Sequence, residues 1–222
     1  MRATQPVVTI SGAYGTGGRL VGQRVAEILG VRFLDQSIPK LVAEELAEQI
    51  EAVIALENDL TSGLYHWISL FAPLAALWVG PVGAESREYR LNYKQSLETI
   101  VKREARHGAV IFGRGAAVIL QDFPETIHVR LNGPVQRRIA QAIDVGGLDE
   151  STAYRAQREI DSAQSRYVRR MFHCDVENDQ LYHLVIDATT VPLATCVDII
   201  VNAVRGCEEL RQLGDAGFSE AI

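Results

Sequence analysis

Short runs of apolar residues alternate with longer stretches of helical periodicity along the 222 residues of the chain. Runs of four to six residues rich in Val, Ile and Leu predict strands, whereas apolar residues recurring every three or four positions predict helices. Five such strand runs occur, at 7–11, 31–34, 109–112, 126–131 and 184–187. Because helical stretches separate them, the pattern predicts one α/β domain with a parallel sheet.

The helical stretches have recognisable ends. Gly30 follows a helix that runs through residues 20–29, and Asp149 is placed to cap a helix from about 150 to 172. Further helices are predicted from Ser37 onward with helical patterns to about 107, from 134 to 145, and from Pro192. Residues 217–222 are expected to be a frayed tail.

The segment SGAYGTGGRLVG, residues 11–22, joins the first strand to the first helix. Its glycines can turn sharply and present backbone N–H groups, and the helix that follows offers its positive end to an anion. The segment therefore predicts a phosphate-binding loop that contains Gly12, Gly15, Gly17 and Gly18. The alternative is a turn whose glycines only permit tight packing of strand and helix.

Two charged residues follow other strands of the predicted sheet. Asp35 comes after the second strand and Arg114 after the third. Ligands of open α/β sheets bind at the carboxyl ends of the strands, so Arg114 is a candidate partner for a second phosphate. The alternatives are a helix cap or turn residue for Asp35 and an ordinary surface arginine for Arg114.

Four arginines can share one face of the helix predicted to end at 172. They are Arg158, Arg166, Arg169 and Arg170. Such a run is usually a solvated face, but in a chain of net charge −6 it also suits a basic helix that folds over a phosphate.

The composition excludes some classes of function. A net charge of −6 argues against a protein that coats nucleic acid. Three cysteines without a CxxC pair predict neither a disulfide framework nor a zinc ribbon, so we expect a reducing, cytoplasmic setting. The His, Cys, Asp and Glu residues between 173 and 183 match no standard metal spacing, and no metal site is predicted there.

Residues 60–84 contain no Asp, Glu, Lys or Arg. The segment is interrupted by proline and glycine, which favours a buried helix pair over a membrane helix. A partner or homodimer surface over residues 64–83 and contact with lipid are the alternatives.

Several motifs in a fixed order resemble the cytidylate kinase-like family of P-loop nucleoside monophosphate kinases. They are VTISGAYGTGGRLVGQRVAEILGVRFLD, IFGRGAAVIL, RRIAQAI, REIDSAQSRYVRRMF, YHLVIDAT and VDIIVNAV. The resemblance implies a P-loop NTPase-type three-layer fold with a central five-stranded parallel sheet, a helical acceptor-binding region and a lid. It divides the single domain into core segments at 1–37, 108–150 and 181–212, an acceptor-binding or partner region at 38–107, a lid at 151–180 and a tail at 213–222.

The same resemblance implies roles for individual residues. The donor phosphates of ATP, with Mg²⁺, would be held by Gly12, Gly15, Thr16, Gly17, Gly18 and Arg19. The acceptor would face Asp35, Arg114, Arg158 and Arg170, and the catalytic residues would be Asp35, Arg166 and Arg169. The implied reaction is transfer of the γ-phosphoryl group of ATP to a nucleoside monophosphate, CMP-like, or a related small phosphorylated acceptor.

The loop departs from the pattern of a working P-loop. Aligned on Gly12, the chain has Gly18 at the P-loop lysine and Leu20 at the P-loop threonine, so a cation and a hydroxyl are both missing. The cytidylate kinase-like family commonly shows GSGG here, so Gly18 fits that family, but its usual Arg-Glu pair ahead of the tyrosine is Gly12-Ala13 in this chain. Arg19 or the lid arginines are expected to replace the lysine. The alternatives are a pseudokinase that binds nucleotide and acts through a partner and, on the spacing of Asp35 from Gly15, a dinucleotide-binding oxidoreductase.

Overall fold

The computed structural model describes residues 5–35 and 87–213, with side chains described from 94 to 210 in the second range. The helix predicted from Ser37, the apolar 60–84 segment, most of the acceptor-binding region and the tail beyond 213 lie outside these residues. Predictions about those segments stay predictions.

Five parallel strands form one sheet in the order β2-β3-β1-β4-β5. The strands are β1 (Val7–Gly12), β2 (Arg32–Leu34), β3 (Ala109–Phe112), β4 (Thr126–Asn132) and β5 (Leu184–Asp187). All five strand predictions are confirmed to within one residue at each end. The central strand β1 is buried along its whole length, which accounts for its continuous apolar run.

Helices cover both faces of this sheet. They are α1 (Gly18–Leu29), α2 (Arg87–Ala105), α3 (Ala116–Ile119), α4 (Val135–Gly146), α5 (Glu150–Phe172) and α6 (Leu193–Leu213), with a 3₁₀ turn at Asp179–Leu181. The predicted stop at Gly30 is confirmed by its left-handed backbone, and the predicted cap by the hydrogen bond from the Thr152 N–H to Asp149. The helical stretch expected between the third and fourth strands is confirmed as α3. Sequence periodicity missed the 3₁₀ turn because it is only about one turn long.

The core has a layer on each side of the sheet. One layer joins α1 and α6 to the residues of β1, β3 and β4 that point towards them, including Val8, Val110 and Leu131. The other joins α2 and α5 to the opposite face, including Ile111 and Tyr167. The three-layer arrangement predicted from the sequence is therefore confirmed for the described residues.

The register of the strands decides which residues meet at the carboxyl edge. Ile10 of β1 pairs with Phe112 of β3 and with Val129 of β4. The segments after β1 and β3 therefore emerge side by side, next to the last residues of β4. Within the residues described, no helix is long and apolar enough to cross a membrane.

The face of β1 and β4 beneath α5 carries polar residues. Thr9 lies opposite His128, and the Thr9 hydroxyl is 2.8 Å from Nδ1 of the His128 ring. The ring of His183 stacks on that of His128 at 4.9 Å, and its Nδ1 accepts the His128 backbone N–H. Burial, and secondarily the neighbouring His183, lower the pKa of His128 to about 4.

His128 is expected to make the protein less stable in mild acid. An unfolded imidazole binds protons below about pH 6.5, whereas folded His128 resists protonation until about pH 4. Its contribution is therefore complete above pH 6.5 and declines as the pH falls towards 4, by up to roughly 3 kcal/mol. Urea unfolding of the wild type and of His128→Gln between pH 7 and 4.5 should show a flatter pH profile for the variant.

His107→Gln is the matched control, because His107 is exposed in the turn that follows α2. The control should keep the wild-type pH profile. Parallel pH profiles for the wild type and His128→Gln would show that His128 is not responsible for the loss of stability in acid.

Candidate functional site

The loop between β1 and α1, called here the glycine loop (residues 12–19), lies at the carboxyl end of the central strand. Gly15 and Gly17 have left-handed backbones, with φ of 80° and 67°. The Ala13 N–H bonds to the Leu131 carbonyl of β4, and the Thr16 N–H bonds back to the Ala13 carbonyl. These bonds fold the loop tightly over the ends of two strands.

Neighbouring protein atoms account for the glycines of this loop. A Cβ on Gly15 would lie 2.1 Å from the backbone oxygen of Arg138, and one on Gly17 would lie 2.7 Å from Leu193. A Cβ on Gly18 would lie 2.7 Å from the Phe112 ring, and one on Gly12 would lie 3.2 Å from it. Tight packing thus explains the glycines, and any anion binding must come from backbone N–H groups.

The start of α1 supplies such groups. Within the helix, the first backbone bond runs from the Val21 N–H to the Gly17 carbonyl. The preceding N–H groups of the first turn have no acceptor within the helix, which is the usual anion-binding feature of a helix start. The Thr16 hydroxyl, by contrast, donates to the Ala13 carbonyl at 2.8 Å and is buried.

A buried ion pair holds the glycine loop against α4 and α5. Asp161 of α5 accepts the Tyr14 backbone N–H at 2.9 Å, and its other oxygen accepts Nη1 of Arg138 at 2.9 Å. The same Nη1 lies 2.7 Å from the Tyr14 carbonyl, while Nε of Arg138 donates to the Gly133 carbonyl. Gln157 adds a third bond to Asp161. The pair therefore joins the loop to both helices.

Arg19 and Asp35 meet at the other side of the loop. Nε of Arg19 forms an ion pair with Oδ2 of Asp35, which directly follows β2. The structure thus brings together a residue predicted to bind the donor and one predicted to face the acceptor. In this arrangement the carboxylate of Asp35 balances the charge of Arg19.

Arg114 leaves β3 with a left-handed backbone, φ 58°, and only 6% of the residue is exposed. Its Nη1 is buried without a hydrogen-bond partner among the described residues. It lines a cavity between the sheet and α5 together with Ser11, Gln164 and Tyr182. No ion pair of Arg114 is found within residues 5–35 and 94–210, and its burial contradicts the alternative of an ordinary surface arginine.

The predicted arginine face of α5 is exposed. The helix packs its opposite face into the core through Ile160, Val168 and Phe172, among others. Nη1 of Arg166 bonds to the Ser162 hydroxyl, and Arg169 pairs with Asp175. Arg158 and Arg170 are also exposed. In the conformation described, this face does not point into the site, and a catalytic role for these arginines stays a prediction.

A second small cavity lies beside the glycine loop. It is lined by Tyr14, Gly17, Gln141 and Leu193, among others. The Tyr14 hydroxyl and the Gln141 amide nitrogen are buried there without hydrogen-bond partners among the described residues. Burial, and secondarily Asp161, raise the pKa of Tyr14, so its hydroxyl stays protonated and able to donate.

Sequence reasoning missed the residues that shape the loop. Arg138 and Asp161 lie more than a hundred positions beyond Tyr14, and no local pattern pairs them with it. Phe112 appeared only as the last apolar residue of a strand. Across residues 5–35 and 87–213, no three His, Cys, Asp or Glu side chains come together as a metal site.

A family model for the cytidylate kinase-like family matches residues 7–190. The chain belongs to the cytidylate kinase-like family. The resemblance seen in the sequence motifs is thereby confirmed, and the glycine loop, Arg114 and α5 all lie within the matched region.

Solved structures agree with this family at the level of fold. An uncharacterized protein from Eubacterium ventriosum is 18% identical and covers 91% of this chain and 99% of that one, with a TM-score of 0.65. A gluconokinase from Sinorhizobium meliloti is 16% identical and covers 96% and 99%, with a TM-score of 0.51. The predicted P-loop kinase-type fold is therefore confirmed.

A curated relative overlaps only part of the chain. The uronate isomerase of Corynebacterium glutamicum is 23% identical over 121 residues, which make up 54% of this chain. The chain spans 22% of the length of that protein. This match therefore says nothing about the activity of the cytidylate kinase-like chain.

Gly18→Lys, which introduces the lysine of the standard P-loop, is expected to destabilise the protein by about 1–3 kcal/mol, because its Cβ must displace the Phe112 ring. Replacing Phe112 by Leu as well should relieve the clash. Urea unfolding of both single variants and the double variant should then show a double-variant loss smaller than the sum of the single losses.

Gly206→Lys on α6 is the control, since a Cβ there meets no atom within 4 Å. It should raise the free energy of unfolding slightly, by up to about 1 kcal/mol, because lysine has a higher helix propensity than glycine. Strict additivity in the Gly18 and Phe112 cycle would mean that the ring does not oppose the lysine.

Proposed function

We propose that this kinase-like protein transfers the γ-phosphoryl group of ATP to a small acceptor, with a CMP-like nucleoside monophosphate as the first candidate. The observation that carries the proposal is the position of Arg114. A buried guanidinium whose Nη1 has no hydrogen-bond partner among the described residues lies at the end of β3, beside the strand that carries the glycine loop. This arrangement supports a site for one anion next to a loop suited to another.

The described residues suit the phosphates of ATP better than they suit a protein-bound metal. The first turn of α1 offers backbone N–H groups that have no acceptor within the helix. The Thr16 hydroxyl is used within the loop and Asp35 is paired with Arg19, so neither is available to form a Mg²⁺ site. Mg²⁺ would therefore arrive as part of the Mg·ATP substrate, which supplies the transferable phosphoryl group.

Other residues of the chain have the task of positioning. Asp161 and Arg138 hold the Tyr14 backbone, and so set the direction of the N–H groups that follow it in the loop. Arg114 orients the anionic end of the acceptor. Arg19 can reach a phosphate only by exchanging Asp35 for it, and the α5 arginines only after a movement of their helix.

A nucleotide-binding pseudokinase is a second candidate. It is favoured by the Phe112 ring, which occupies the space that a lysine at position 18 would need. Without that cation, nucleotide binding can persist while phosphoryl transfer is slow. The apolar segment at 64–83 would then be the surface for a partner or a second copy.

Nucleoside diphosphate formation from Mg·ATP with CMP, dCMP, UMP and AMP tests the proposal. Arg114→Met should lower kcat/KM about a hundredfold or more, because it removes a preorganised cation. It should not lower the stability of the ligand-free protein, since it also removes a buried charge whose Nη1 makes no hydrogen bond to the described residues. Arg166→Ala, assayed beside it, reports whether α5 moves over the site.

Arg205→Met is the matched control, because Arg205 is an exposed arginine on α6. It should retain wild-type turnover. ATP binding without turnover on any acceptor would favour the pseudokinase. Turnover by Arg114→Met at the wild-type rate would contradict the assignment of Arg114 to the acceptor site.

A further inference from the structure

The cavity beside Arg114 has a polar floor. Ser11 lies at the end of β1, and Nε2 of Gln164 approaches its hydroxyl at 3.5 Å. The Tyr182 ring closes the cavity on the side of the segment that follows α5. Hydroxyl and amide groups around an unpaired guanidinium form an environment suited to an oxyanion.

Arg130 of β4 lies against the same region. It is directly opposite Ser11 in the strand register, so the two side chains emerge on the same face of the sheet. The bond between Thr9 and His128, two residues earlier on each strand, shows that this face lies beneath α5. The Arg130 guanidinium is 5.7 Å from the centre of the Tyr182 ring that lines the cavity.

The charge of Arg130 is poorly balanced. The residue is 3% exposed, and its Nη1 has no hydrogen-bond partner among the described residues. Its ion pair is a long one, 3.7 Å from Nη2 to Oε1 of Glu177, and the Glu177 side chain is 78% exposed. Arg114 lines the cavity and Arg130 lies against the Tyr182 ring that lines it, and each has a buried Nη1 without a hydrogen-bond partner among the described residues. Burial of a charge is costly unless it is compensated.

We propose that Arg130 is a second cation of the Arg114 site, so that the site binds an oxyanion of charge −2, and that Glu177 holds Arg130 while the site is empty. The inference rests on the proposed function in one respect, that the oxyanion is the charged end of the acceptor. Incoming oxyanion replaces the long contact with Glu177 by charge-assisted hydrogen bonds to both guanidinium groups.

Substitutions of the two partners should shift anion affinity in opposite directions. Binding of inorganic phosphate and of sulfate is measured by titration calorimetry at constant ionic strength. Arg130→Met should weaken it about tenfold or more, as expected for loss of a charged hydrogen bond. Glu177→Gln should strengthen it a few-fold, because the competing carboxylate is removed. Acetate, a monoanion, should bind more weakly than either.

The control is Glu159→Gln, which removes the same charge from the exposed face of α5. It should leave the phosphate affinity unchanged. Equal strengthening by Glu159→Gln and Glu177→Gln would overturn the proposal, because it would show a general effect of net charge.

Ligand-free stability separates this role from a purely structural one. If the Arg130 pair with Glu177 only stabilised the fold, both Arg130→Met and Glu177→Gln would lower the unfolding midpoint and leave phosphate affinity unaltered. On the proposal, the unfolding midpoint of Arg130→Met without anion is at least equal to that of the wild type. Added phosphate then raises the midpoint of Arg130→Met by less than it raises that of the wild type. Should Arg130→Met fail to fold, Arg130→Lys must still weaken phosphate binding, since it keeps the charge but not the planar donor pair.

The same measurements distinguish failure of the second-cation proposal from failure of the proposed kinase function. Loss of phosphate binding in Arg114→Met but not in Arg130→Met would reject the second cation and leave the kinase proposal intact. The expected shifts in both Arg130→Met and Glu177→Gln, without turnover on any acceptor, would support the oxyanion site and reject the reaction. Competition between CMP and phosphate would identify the oxyanion as the acceptor's, whereas phosphate binding that CMP leaves unaltered would reject that assignment.

Discussion

The carboxylate of Asp161 is the point on which the glycine loop depends. It receives a backbone N–H from the loop, a guanidinium from α4 and an amide from α5. The Arg138 side of this pair is almost fully buried, where the loss of one partner leaves an uncompensated charge in a medium of low dielectric constant. The loop is therefore held from outside itself, by two helices whose positions the sheet determines.

This support changes the meaning of the glycines. In a loop that wraps a ligand, glycines leave space for the ligand, but here the space above Gly15, Gly17 and Gly18 is taken by the protein. The packing reading of the glycines and the anion-binding reading are consequently compatible. The glycines let Arg138, Leu193 and Phe112 approach. The backbone N–H groups at the start of α1 still have no acceptor within the helix, so they can bind an anion.

The layers of the fold could be predicted because their causes are local. Buried strands such as Ala109–Phe112 are uninterrupted apolar runs, and the helix that ends at Gly30 carries its own stop signal. The balance of charge in the site could not be predicted in this way. Nothing near Asp35 in the sequence indicates that Arg19 neutralises it, and nothing near Tyr14 indicates Asp161.

The arginines of α5 are a second example of what the sequence could not predict. Helical spacing correctly grouped them on one face of the helix. The spacing alone does not show whether that face points into the protein or into solvent, because this depends on what the opposite face packs against. Ile160, Val168 and Phe172 pack inward, so the arginines face outward.

Among the described residues, the buried guanidinium groups whose Nη1 has no hydrogen-bond partner lie elsewhere, at Arg114 after β3 and at Arg130 within β4. Single residues in apolar or alternating runs give no periodic signal. Their importance follows from their burial. A charged side chain costs little free energy at the surface, but beneath α5 it is costly unless an anion compensates it. A net-acidic protein can thus retain a strongly cationic site, because exposed carboxylates are screened by water and salt whereas two buried guanidinium groups are not.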